Sequence, residues 1–268
     1  MERLTLAQVL SSSRSRGRCG FIAFVTAGDP DLRATARYVA ALRAEGADIV
    51  ELGVPFSDPV ADGPVLQAAA ERALKKGTRL EDVLAALRRM RATGEAVPVI
   101  LFTYLNPLLR LGRDRFARSA AAAGAQGALI VDLPAESAGP WGKALGRHGL
   151  ELVLLASPTT SDARLRLIGR ASGSIVYYVS REGVTGARKE LPVGLAERLA
   201  LVRRLTGKPL IVGFGVASGK QASALAAHAA GVVVGSAIVR AAAGLAPARG
   251  EKALRRVARD IVRGLSAC

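Results

Sequence analysis

Residues 47–64, ADIVELGVPFSDPVADGP, hold an apolar run that ends in an acid and runs on into a proline-stiffened loop bearing a second acid. Ala47-Asp48-Ile49-Val50 reads as a strand closed by Glu51, and Asp62 lies eleven residues on, beyond Pro55 and Pro59. Two carboxyls joined by a loop that can fold back are able to face one small substrate from two sides, which suits general acid–base chemistry. The scaffold that holds them decides whether they form a site.

Outward from this segment the chain alternates β-branched runs with amphipathic stretches. Strands are predicted at Phe21–Thr26, Asp48–Val54, Val97–Phe102, Gly127–Val131, Glu151–Ala156, Ser174–Val179, Pro209–Gly213 and Gly231–Val234. Helices are predicted at Leu32–Glu45, Leu80–Arg91, Arg113–Ala123, up to Gly146, after an N-cap at Ser161, at Gly194–Leu205, from Ser218 to Ala230, and at Lys252–Leu265. Leu210-Ile211-Val212 and Val232-Val233-Val234 are apolar at consecutive positions, as strands buried on both faces are. Eight strand–helix units predict one α/β domain over residues 1–268, a TIM (β/α)8 barrel. An extra N-terminal helix and a short phosphate-binding helix after strand eight complete the expectation. An open eight-stranded sheet is the competing architecture; the length and the lack of a composition break favour the closed barrel. Barrel sites lie at the C-terminal ends of the strands, which puts Glu51 at the mouth and Asp62 in the loop above it. A carboxyl there, beside Val50, Leu52 and Phe24, is expected to be desolvated and to hold its proton toward neutral pH.

Composition narrows the function classes. The net charge is +16, from 38 basic and 22 acidic residues. The basic residues come singly or in pairs on polar helix positions, and aromatics for base stacking are few, so the charge reads as an arginine-rich solvated surface rather than a nucleic-acid site. Such a field still draws anionic small molecules. Cys19 and Cys268 stand far apart and form no metal spacing, so free thiols are expected. His148, at a helix C-terminus, and His228, inside an alanine-rich helix, are the only imidazoles; no metal site or His-dependent triad is expected. No apolar stretch is long enough to span a membrane and no signal-peptide pattern opens the chain, so a cytoplasmic location is expected.

Three glycine turns follow the last strands: Gly183–Gly186, Gly213–Gly215 and Gly235-Ser236, the last opening a short helix at Ala237–Ala242. Backbone amides at such turns approach an anion closely, and barrels often hold phosphate after strands seven and eight. Gly213–Ser218 (GFGVAS) lacks the third glycine of a dinucleotide fingerprint, and Gly215–Lys220 (GVASGK) is one residue short of a P-loop, so neither nucleotide reading holds. Residues 180–191, SREGVTGARKEL, read either as a lid over the substrate or as an ordinary exposed connection.

FVTAGDP at 24–30, ELGVPFSDPVADGP at 51–64, GVTGA at 183–187, GFG at 213–215 and GSAIV at 235–239 together resemble the tryptophan synthase alpha chain, in order and spacing over nearly the whole chain. The resemblance implies cleavage of indole-3-glycerol phosphate to indole and glyceraldehyde 3-phosphate by a retro-aldol lyase with no metal or organic cofactor. Glu51 matches the family's general acid–base and Asp62 its indole N–H acceptor, with Thr185 matching the lid threonine that helps hold Asp62. Phe24, Tyr104, Leu129 and Tyr177 match the indole pocket. Gly186, Gly215, Gly235 and Ser236, with Phe214 nearby, match the phosphate site. The implied partner is a tryptophan synthase beta chain, carrying pyridoxal phosphate, in an alpha2beta2 assembly; Pro55, Asp58 and Asn106 match positions at or near that interface. A lyase working alone and a non-catalytic activator of the beta chain are the alternatives. The chain departs from the family in its strong positive charge and at Ala135 and Ala230, and the charge leads us to expect either a beta chain that is acidic at the contact or a pairing that is salt-sensitive.

Overall fold

The computed structural model describes residues 4–179, 194–213 and 215–266. Among these the strands are β1 (Gly20–Thr26), β2 (Ile49–Gly53), β3 (Val99–Thr103), β4 (Gly127–Ile130), β5 (Glu151–Val153), β6 (Leu155–Ala156), β7 (Val176–Val179), β8 (Leu210–Gly213) and β9 (Gly231–Val234). The helices are α1 (Leu6–Ser15), α2 (Leu32–Ala44), α3 (Pro64–Lys75), α4 (Leu80–Ala92), α5 (Leu105–Leu111), α6 (Arg113–Ala123), α7 (Ala138–Gly146), α8 (Asp162–Ala171), α9 (Leu195–Thr206), α10 (Gly219–Ala226), α11 (Ser236–Ala242) and α12 (Pro247–Leu265). All strand pairs are parallel, in the order β5-β4-β3-β2-β1-β9-β8-β7-β6.

The two ends of that order, β5 and β6, are halves of the single strand expected at Glu151–Ala156. The break falls at Leu154, whose amide donates to the Ser172 hydroxyl (3.2 Å) while its carbonyl accepts from Tyr177 N–H (3.0 Å). The lower half pairs with β4 and the upper half with β7, so the chain itself closes the ring. The architecture is a TIM barrel, with nine strand segments where eight were expected.

Strand residues alternate between two cores. Those facing out meet the helix ring; those facing in, among them Ile22, Ile49, Ile100, Leu129, Val153, Ile211 and Val233, fill the barrel. Leu6 and Leu10 of α1 join the inner set, so α1 plugs the N-terminal end of the barrel. Thr5 caps α1 in a capping box with Gln8, and the Glu151 carboxylate accepts from the Leu6 amide (2.7 Å) and the Ser174 amide (2.5 Å). Gly20 and Gly231 sit where a side chain would collide with Leu10 and Ile22, which is why the plug seats closely.

Four helices differ from expectation. Pro64–Lys75 and Leu105–Leu111 form α3 and α5, which periodicity did not reveal: α3 starts directly from the acid-bearing loop with Pro64 in its first turn, and α5 is short and holds Pro107. The helix expected to reach Ala230 ends at Ala226, which leaves His228 exposed in a turn rather than within a helix. The last helix begins earlier than expected, at Pro247.

Candidate active site

Residues two apart on a strand share a face, so Ile49 and Glu51 both point into the barrel. Ile22 pairs in register with Ile49 and Phe24 with Glu51, one layer nearer the C-terminal mouth. The inner face of β2 therefore carries an acid where its neighbours carry Phe24 and Ile100. Glu51 is 1% exposed, and among the described residues its Oε1 has no hydrogen-bond partner. Burial without compensation penalises the charged form, and it pushes the carboxyl up to about 8. Glu51 thus holds its proton at neutral pH.

Asp62 is half-buried in the β2–α3 loop. Its amide donates to the Pro59 carbonyl (2.9 Å), and its carbonyl accepts from Gln67 Nε2 (2.7 Å), which ties the loop to the first turn of α3. Burial raises its pKa to about 6, against an opposing hydrogen bond from the Tyr104 hydroxyl. That hydroxyl also accepts from the Ala61 amide (3.2 Å), and the Tyr104 ring stacks on Phe56 with centroids 5.1 Å apart. Tyr104, at the end of β3, therefore holds both ends of the residue pair that presents Asp62. At pH 7 the two acids take opposite forms, Glu51 protonated and Asp62 ionised.

Aromatic rings surround this pair. Phe24 meets Phe102 edge to face at 5.2 Å, and both pack with Val65, Leu66 and Ala69 of α3 and with Val239 of α11. Tyr177 is buried on β7, and its hydroxyl pKa is raised, first by burial and then by the charges of Glu51 and Asp62. Two glycines make room for these rings. A side chain at Gly53 would strike the Phe24 ring, and one at Gly213 would strike the Tyr177 hydroxyl. Sequence reading took Gly213 only as part of a phosphate turn and passed over Phe102 and Gly53; the alternation of β3, once its register is known, is the signal that points Phe102 inward. Leu129, also expected in the pocket, is fully buried in the inner core as the register partner of Phe102.

Of the expected phosphate residues, Gly215 is exposed with φ +64°, Gly235 caps α11, and Ser236 is the first residue of α11. All three lie beyond the C-terminal ends of β8 and β9, on the same end of the barrel as Glu51. Thr185, Gly186 and Phe214, and the loop of residues 180–191, lie outside the described residues. Of the expected partner residues, Asp58 and Asn106 are exposed, whereas Pro55 is buried within this chain. Val60, at the tip of the same loop, is 84% exposed, and Leu109 on α5 is exposed too. A groove of about 700 Å³ runs between that loop and α3, with Asp58 and Glu71 on its walls and, among the described residues, no Lys or Arg. Lys75 pairs with Glu71 (2.6 Å). The positive excess of the chain is therefore not concentrated among the described residues of this groove.

Among the described residues no group of three His, Cys, Asp or Glu side chains could hold a metal ion, and no helix is long and apolar enough to cross a membrane.

The profile of the tryptophan synthase alpha chain family matches residues 10–263. Curated relatives of that name include a Geobacter sulfurreducens protein, 46% identical over 235 residues (88% of this chain, 89% of that one), and a Synechocystis protein, 45% identical over 262 residues (97% and 99%). Among solved structures, the tryptophan synthase subunit alpha of Legionella pneumophila superposes with a TM-score of 0.90 at 34% identity, covering 99% of this chain and 100% of that one. A chain of Mycobacterium tuberculosis tryptophan synthase superposes with a TM-score of 0.89 at 37% identity, covering 98% and 99%. An orphaned acid on β2, a second acid on the loop above it, and a profile that runs almost from end to end agree: the chain belongs to the tryptophan synthase alpha chain family.

Proposed function

We propose that Glu51 and Asp62 are the residues with which this chain carries out the reaction of its family, the carbon–carbon cleavage of indole-3-glycerol phosphate to indole and glyceraldehyde 3-phosphate in tryptophan biosynthesis. The observation that carries this assignment is the buried Glu51 carboxyl, without a partner for Oε1 among the described residues, on the inner face of β2 with Asp62 on the loop above it; burial raises both pKa values, that of Glu51 further. Protonated Glu51 delivers its proton to indole C3. The ring then carries positive charge at nitrogen, where ionised Asp62 accepts the N–H and stabilises that charge. The Glu51 carboxylate next takes the proton of the glycerol hydroxyl on the carbon attached to C3. That O–H pair becomes the carbonyl of glyceraldehyde 3-phosphate, the carbon–carbon bond breaks, and its electrons restore the neutral indole ring. Glu51 ends as it began, protonated.

Phe24, Phe102, Tyr104, Leu129 and Tyr177 would enclose the indole; Gly215, Gly235 and Ser236, with Gly186 and Phe214, would hold the phosphate. Remote phosphate binding then orients the reacting carbon. Thr185 would help hold Asp62. One barrel domain over residues 1–268 carries all of these parts.

The partner is the tryptophan synthase beta chain, and the assembly is alpha2beta2. Asp58, Asn106, Val60 and Leu109 would face it, Val60 and Leu109 supplying exposed apolar anchors. Pro55 would act from within, stiffening the loop. Pyridoxal phosphate belongs to the partner, and this chain works with no cofactor of its own, in the cytoplasm.

The test mixes the purified chain, alone and with a beta chain, with indole-3-glycerol phosphate and follows indole release. Wild type releases indole, faster with the beta chain, and Glu51→Gln releases almost none. Near-normal release by Glu51→Gln would overturn the assignment.

A further inference from the structure

At the end of the barrel opposite Glu51 lies a second cavity, of about 790 Å³, between α1 and α9. Its floor is the pair of turns that lead into β8 and β9, with Pro209, Leu210, Ala229 and Ala230, and Leu10 of the plug helix beside them. That volume falls in the range of small-molecule sites. Among the described residues fifteen line it; four of these are Arg or Lys, and none is Asp or Glu. The described lining of the groove at the mouth has the opposite make-up, two acids and no base.

The four cations reach the cavity from three segments. Arg14 comes from the last turn of α1, Arg203 and Arg204 from the last turn of α9, and Lys208 from the turn before β8. Elsewhere the arginines of this chain are often matched to carboxylates: Arg18 to Asp48 (2.6 Å), Arg72 to Asp29 (2.7 Å), Arg255 and Arg259 to Glu45 (3.0 and 2.7 Å). Among the described residues, no carboxylate lies in ion-pair range of Arg14, Arg203, Arg204 or Lys208. Arg14 donates instead to the carbonyls of Ala226 and Ala229 (3.3 and 3.5 Å), which holds its guanidinium over the floor. Cations at helix C-termini have an ordinary stabilising role. That role does not require three segments to aim theirs into one cavity. His228 also stands on the wall.

We propose that this cavity binds a small organic polyanion: a molecule with two or more negative charges, held by Arg14, Arg203, Arg204 and Lys208, and an apolar body resting on the Leu10–Pro209–Leu210 floor. Guanidinium groups recognise phosphate and carboxylate oxygens in pairs, and an apolar floor favours a flat organic body over a bare ion. The site also gives part of the +16 charge a local purpose.

The test uses ATP as the probe, with tripolyphosphate and adenosine as its charged and apolar halves, followed by isothermal titration calorimetry on the full chain at low and physiological salt. One saturable ATP site is expected, with tripolyphosphate at least about tenfold weaker and adenosine undetectable. Arg203→Glu/Arg204→Glu should weaken ATP at least about tenfold and leave indole release unchanged, because neither residue is near Glu51. Arg88→Glu/Arg89→Glu, a charge-matched reversal on the exposed face of α4, should leave ATP binding near wild type. Three outcomes would overturn the proposal: no saturable binding, equal weakening by both double variants (a diffuse field only), or length-dependent binding of DNA at this face that outcompetes ATP.

Discussion

Asp48 and Glu51 lie three residues apart, are both buried, and meet opposite fates. Asp48, just before β2 at the plugged end of the barrel, is fully engaged. Arg18 holds both of its oxygens (2.6 and 2.8 Å), Arg16 adds a third bond (3.0 Å), and the Phe21 amide a fourth (2.8 Å). Glu51, toward the open mouth, has an oxygen with no partner among the described residues. A buried carboxylate with donors on every side fixes structure. A buried carboxyl left without them stores a proton near neutral pH. The comparison separates an acid that builds the barrel from one the barrel was built to present.

The sharpest way to break the comparison is to neutralise each acid by its amide. Glu51→Gln should lower indole release by roughly 10³-fold or more while the protein stays folded, because the amide replaces a group that is already neutral there. Asp48→Asn should leave turnover per folded molecule close to wild type but reduce stability by about 3 kcal/mol, since Arg18 then keeps a largely buried charge without its counterion. Steady-state assays paired with urea unfolding distinguish the two. If the effects were exchanged, with Glu51→Gln unfolding the chain and Asp48→Asn abolishing turnover, the division drawn here would be wrong.

The second test reads the stored proton as stability. The folded pKa of Glu51, about 8, lies above its ordinary value of 4.5. The protonated form is therefore the one the fold favours. Its contribution is complete below pH 4.5, is lost as pH rises toward 8, and changes no further above that. The full loss is up to roughly 5 kcal/mol. Unfolding free energy measured from pH 5 to pH 9 should fall more steeply for wild type than for Glu51→Gln, which lacks the titrating group. Parallel pH profiles would show that Glu51 has found a partner in solution.

How much of this was legible beforehand depended on the range of the interaction. Gly231–Val234 and Arg113–Ala123 could be read to the residue because a β-branched run and an amphipathic period are local patterns. The placement of Glu51 and Asp62 at a barrel mouth followed from counting such patterns. The contrast with Asp48 was not legible, because its donors Arg16 and Arg18 stand some thirty residues upstream and meet it only when β1 pairs with β2. The same holds for α3. Its burial of Ala69 against Phe24 depends on contacts across the mouth, while its own sequence follows a proline loop and reads as more of that loop. The break in the fifth strand likewise needed Ser172, which takes the Leu154 amide from eighteen residues away.

A third test moves to the loop acid. Asp62 should work ionised and Glu51 protonated, so kcat/KM for indole release should be bell-shaped, rising near pH 6 and falling near pH 8. Asp62→Asn should lower the rate roughly 10²-fold and remove the rise near pH 6, leaving the fall near 8. A surviving acid limb in that variant would assign the lower titration to another group.

The smallest effect tests what sets Asp62 apart from Glu51. Both are raised by burial, but Asp62 is restrained because the Tyr104 hydroxyl donates to it, and the restraint keeps it ionised at neutral pH. Tyr104→Phe removes that donor and also the acceptor for the Ala61 amide, while the ring stays to stack on Phe56. Losing a bond to the charged form must raise the pKa of Asp62, so the acid limb of the bell should move upward from about 6 toward neutrality. At pH 7 the rate should drop up to about twofold relative to wild type; at pH 8 the two should nearly coincide, because Asp62 ionises there with or without the bond. A purely structural role for Tyr104 would lower the rate equally at both pH values, so the shape of the profile, rather than its height, decides whether this tyrosine tunes the acid.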